Sequence, residues 1–72
     1  MNKYSINLST YKDVSFINLL DGDRVDKTLT FRNKYTGENI FKSLKTEMVT
    51  YGDKSLLDLF NYYLTKQLCH IL

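Results

Sequence analysis

From Tyr4 to Ser9 apolar and polar residues alternate, with Tyr4, Ile6 and Leu8 set against Ser5, Asn7 and Ser9. A period of two places one set on each face of an extended chain, so the pattern predicts a half-buried strand over about 3–9. Residues 24–32 repeat it: Val25, Leu29 and Phe31 share one face, Asp26, Thr28, Thr30 and Arg32 take the other, and Lys27 is the one intruder. Between these segments, Val14, Phe16 and the pair Leu19-Leu20 lead into Asp21-Gly22-Asp23, which suits a strand over 14–20 entering a hairpin turn. Thr10 and Asp13 have the spacing of a capping box, so a short helix with Phe16, Ile17 and Leu20 inward is the competing reading.

The second half carries a longer period. Asn33 to Gly37 reads as a polar loop closing a hairpin, and 39–51 as the returning strand. Phe41, Leu44, Met48 and Tyr51 also fit a helix that Gly52 would cap. Over 55–70 the helix is plain. Leu57, Phe60, Leu64, Leu68 and Ile71 form a stripe widened by Leu56 and Tyr63, with Asp58, Asn61, Thr65 and Lys66 opposite and Ser55 as N-cap. These elements predict one α+β domain spanning 1–72: a small antiparallel meander of three to four strands with a C-terminal amphipathic helix packed on one face. The alternative is a β-α-β-β-α order. Gly22, Gly37 and Gly52, each followed by an acidic residue, read as turns between the segments.

Length changes the picture by thinning the core. A chain of 72 residues sits near the lower limit of independent folding, where a disulfide, a metal or a partner usually adds stability. Cys69 is the single cysteine, so no disulfide forms within the chain, and Cys69 with His70 falls short of a zinc ligand set. The expectation is therefore no metal and no cofactor, with association as the remaining help. Ten basic and eight acidic residues leave a net charge of +2, far from the basicity of a dedicated DNA-binding domain. Neither a signal-peptide core nor a membrane-length apolar run is present, and the free cysteine suits a reducing compartment, so the expected location is cytoplasmic. The absence of Ala, Pro and Trp beside abundant Lys, Asn, Tyr, Leu and Ile is the codon bias of a low-GC genome, the background of many phages and mobile elements.

Candidate chemistry is sparse. Cys69 and His70 are adjacent, and neighbours on a helix point about 100° apart, which disfavours a nucleophile and base pair. Asp21, Asp23 and Asp26 resemble part of a calcium loop, but the position that needs Glu holds Arg32. No phosphate-binding glycine loop or nucleophile elbow occurs, and no catalytic residue is assigned.

Two surfaces stand out. Leu59, Tyr62 and Leu72 extend the apolar surface of the last helix beyond what a thin sheet covers, so Leu59, Tyr62, Tyr63, Lys66 and His70 form the candidate protein interface. Arg32, Lys34, Tyr35, Lys42 and Lys45 combine cations with an aromatic ring on the expected hairpin, as a nucleic-acid contact would. The expectation is a small non-enzymatic protein-binding module, an inhibitor or accessory factor of a phage or mobile element, acting on a larger protein or as a homodimer. A nucleic-acid-binding hairpin domain is the first alternative, and an enzyme with an unrecognised site the second.

Overall fold

The computed structural model describes residues 4–71, with the side chains of residues 4–67. Three strands, β1 (Tyr4–Tyr11), β2 (Val14–Asp21) and β3 (Arg24–Phe31), are followed by two helices, α1 (Lys34–Tyr51) and α2 (Asp53–Ile71). The strands form an antiparallel meander in the order β1-β2-β3. The protein is thus an α+β fold, a three-stranded sheet with its helical layer on one face.

Each hairpin closes through two residues, because Tyr11 faces Val14 and Asp21 faces Arg24. Such short loops match strand twist only when the chain enters a left-handed conformation. Lys12 supplies it at φ 58° and Gly22 at φ 71°. The alternation then sets the faces. Ile6, Ser15, Ile17, Leu19 and Leu29 are buried beneath the helices, while Asn7, Ser9, Thr28 and Thr30 on the opposite face are exposed. Half-exposed Val14, Phe16 and Leu20 share that opposite face with them.

Residues 39–51 are helical, not a strand, so the helical reading of Phe41, Leu44 and Met48 is the one realised. Asn33 is the physical reason. Its Oδ1 accepts from the N–H groups of Tyr35 and Thr36 at 2.8 and 3.3 Å, starting a helix where the sequence suggested a loop. Gly52 ends that helix, its N–H donating to the Met48 carbonyl at 2.9 Å. Gly37 consequently lies inside α1. A Cβ there would stand 2.5 Å from Ser15 Cβ, so glycine lets the helix touch β2 directly.

α1 lies across all three strands and α2 packs mainly along α1. Leu44 of α1 and Leu56 and Phe60 of α2 join Ile6, Ile17, Leu19 and Leu29 in a single core. The α2 stripe is therefore centred on Leu56 and Phe60, with Leu57 only half-buried. Ser55 is no cap: α2 begins at Asp53, and Ser55 Oγ donates to Glu47 Oε2 of α1 at 3.1 Å. Val25 also departs from expectation. The register shifts between Leu19 and Leu20, so that Leu19 faces Lys27 and Leu20 faces Val25, leaving Asp26 as an extra residue on β3. That bulge turns Val25 away from the face of Leu29 and leaves it 59% exposed.

Candidate functional site

The two edges of the sheet are built differently. β3 carries Arg24, Asp26 and Lys27, its pairing is broken by the bulge, and α2 reaches along it. Gln67 of α2 behaves as a short strand there: its Nε2 donates to the Thr30 carbonyl at 2.6 Å and its Oε1 accepts from the Thr30 N–H at 3.4 Å. Lys27 Nζ donates to Asn61 Oδ1 at 2.9 Å, adding a second tie between α2 and β3. Charges, bulges and helix cover are the devices by which sheets prevent unwanted pairing at an edge.

Among the described residues β1 is guarded at one point alone, where Asp53 of α2 reaches the Tyr4 N–H. Its eight residues, Tyr-Ser-Ile-Asn-Leu-Ser-Thr-Tyr, contain no charge, no proline and no bulge against β2. The Tyr4 N–H points away from β2, towards Asp53 Oδ2 at 3.5 Å. Backbone direction alternates along an antiparallel ladder, so the N–H and C=O groups of Ile6, Leu8 and Thr10 point outward as well. Among the described residues, no side chain or backbone group bonds to them. An unpaired row of this kind is a template for another strand.

The sheet face opposite the helices continues this edge. Across its centre runs a hydrogen-bonded ladder: Thr28 Oγ1 donates to Asn18 Oδ1, and Asn18 Nδ2 donates to Asn7 Oδ1, both at 2.8 Å. The ladder is directional and ends at the edge. The amide nitrogen of Asn7 donates to none of the described residues. Flanking it are Phe16, Leu20 and Val25, with Tyr11 68% exposed at the hairpin end.

The surface expected on α2 is only partly open. Leu59 and Tyr63 pack against the core. Tyr62 is 53% exposed, its ring set edge-on to Tyr63 at 5.5 Å and beneath Lys66 Nζ at 5.3 Å. The His70 side chain lies outside the described residues. The basic and aromatic set is divided by α1. Arg32, Lys34 and Tyr35 line a shallow, open cleft of about 460 Å³ with Asp13 and Asn33. Lys42 and Lys45 stand two to three turns further along the helix, exposed to solvent. With residues 39–51 helical, the expected hairpin that would have presented all five together does not form, and Phe31 packs against the core.

Among the described residues, no three His, Cys, Asp or Glu side chains converge as metal ligands would, and no helix is long and apolar enough to cross a membrane. The edge strand and the Asn7–Asn18–Thr28 ladder were missed in the sequence. The available signal was slight: residues 4–11 hold no charged side chain, and Asn7 and Asn18 both stand at polar positions of apolar strands. No protein-family model, curated protein sequence or solved structure matches the chain.

Proposed function

We propose that this is a protein-binding module that works by strand addition at β1. One observation carries the reading: the fold ties Gln67 to the β3 edge and, among the described residues, leaves β1 unpaired beyond Tyr4 along a strand with no charged side chain of its own. Pairing along β1 supplies main-chain hydrogen bonds, while residues on the adjoining open face add selectivity, as in other cases where an extended segment joins a sheet. The uncharged face of Asn7, Phe16, Asn18 and Leu20 suits a protein surface better than a phosphate backbone, which calls for clustered cations.

Thr10→Pro tests it. The Thr10 side chain is exposed and its N–H points outward, so proline removes an edge donor while sparing the β1–β2 ladder. Extended peptides selected from a display library on the native chain are expected to bind the Thr10→Pro variant at least about tenfold more weakly, a loss of about 1.4 kcal/mol. Their amide shift changes should fall on Tyr4–Tyr11. Selected peptides that map to Tyr62 and Lys66 instead, or that bind the variant equally well, overturn the reading.

A further inference from the structure

We infer that the strand accepted at β1 is β1 of a second copy of this chain, paired antiparallel about a two-fold axis at Asn7, which makes one six-stranded sheet from two protomers. The inference rests on the proposed use of the β1 edge and names its occupant. A two-fold axis through a strand pair sets each residue against its own kind, so a charged residue near the axis would repel itself. β1 has no charged residue anywhere along its length, whereas β3 has three.

The faces also agree. With Asn7 on the axis, Ile6 faces Leu8 of the second copy, and Leu8 faces its Ile6. Both are inward residues of the sheet, so the two cores join beneath the pairing, and each pair exchanges both main-chain hydrogen bonds. Asn7 itself falls at a non-hydrogen-bonded position of the new pair, where side chains approach closest.

The ladder chooses the axis. Thr28 donates to Asn18 and Asn18 to Asn7, and the chain of donors stops at the Asn7 amide nitrogen. Opposite its own copy, each Asn7 Nδ2 donates to the other's Oδ1, which has a second lone pair free beside the bond from Asn18. The ladder then runs unbroken from Thr28 of one protomer to Thr28 of the other. Asp53 at the Tyr4 N–H, at 3.5 Å, marks the end of the open edge and leaves Ile6 and Leu8 free to pair.

The contact is one strand pair wide, below the roughly 1,600 Å² of a standard interface, so association should depend on concentration. Sedimentation velocity from about 1 µM to about 1 mM is expected to show the mass rising from 8.5 kDa towards twice that value. Asn7→Asp and Asn7→Lys, each folded by circular dichroism, should each remain monomeric at concentrations where the native chain dimerises. Mixed together they should form a heterodimer at least as tight as the native dimer, because unlike charges then meet across the axis. Ser43→Asp and Ser43→Lys, on the exposed face of α1, serve as a folded control pair and should dimerise like the native chain. A native chain that stays monomeric throughout, or Asn7 variants that dimerise alone as well as together, overturns the inference. If the chain is monomeric yet selected peptides still footprint on β1, the edge is a binding site for another protein's strand; if neither occurs, both the inference and the reading beneath it fail.

Discussion

Gly37 shows how one residue decides the contact between the two layers. In a helix interior glycine ordinarily costs about 1 kcal/mol relative to alanine, so on propensity alone Gly37→Ala should stabilise the fold. The structure reverses the sign. The new Cβ would lie 2.5 Å from Ser15 Cβ and 2.8 Å from Ser15 Oγ, on a buried residue whose hydroxyl donates to the Lys34 carbonyl at 3.4 Å. Gly37→Ala is expected to destabilise by about 1–3 kcal/mol, read as a lower urea midpoint at unchanged m-value. A midpoint that rises would mean the helix can lift off β2 freely. Gly37 looked like a turn residue because, in sequence, a glycine that permits positive φ and a glycine that permits close approach are the same letter. Asn33 is similar: as the start of a polar loop or as a helix cap it has the same neighbours, and only the N–H groups of Tyr35 and Thr36 distinguish the two.

At the scale of elements, the legible parts were those with strict periods. The strands read from alternation, β1 and β3, and the helix read from its stripe, α2, appear in the fold near their expected bounds, because a period of two or of 3.6 survives most tertiary contexts, whereas residues 14–20 left strand and helix both open and bury Ser15, Ile17 and Leu19. Residues 39–51 were ambiguous because Phe41, Leu44, Met48 and Tyr51 leave enough apolar positions for a strand, and the capping at both ends settles the matter. The Asp26 bulge had no sequence signal, so the face of Val25 was not legible. Nor was the cover of the β3 edge, which depends on Gln67 arriving from residues 37 positions away in the chain. Gln67→Ala tests that element directly. It removes both bonds to Thr30 and should cost about 1 kcal/mol, since both groups are exposed and water replaces part of the loss. The more telling consequence is aggregation. With the second edge uncovered, Gln67→Ala should form higher oligomers by light scattering at concentrations where the native chain does not, and equal behaviour of the two would show that Gln67 does not guard the edge.

Among the described residues the molecule has one sheet, one helical layer and a core of seven fully or nearly fully buried apolar residues. Its sheet is closed on one face and one edge, and open on the other face and the other edge. The candidate surface on α2 was drawn from surplus leucine and tyrosine, but much of that surplus fills the small core, with α1 and not the sheet alone as its partner. What remained invisible in sequence was which strand would be last in the sheet, because edge position is a property of the assembled topology. Amide hydrogen exchange of the native chain tests this asymmetry most directly, since protection reports whether each backbone donor is covered. In dilute protein the account predicts slow exchange at Asn7 and Ser9, which bond to β2, and at Thr30, which bonds to Gln67, with fast exchange at Ile6 and Leu8. On raising the protein concentration, Ile6 and Leu8 alone among these should become protected. Protection of Ile6 and Leu8 already at the lowest concentration, or fast exchange there at every concentration and with every strand peptide, would contradict the claim that β1 is the edge this protein keeps open for a partner.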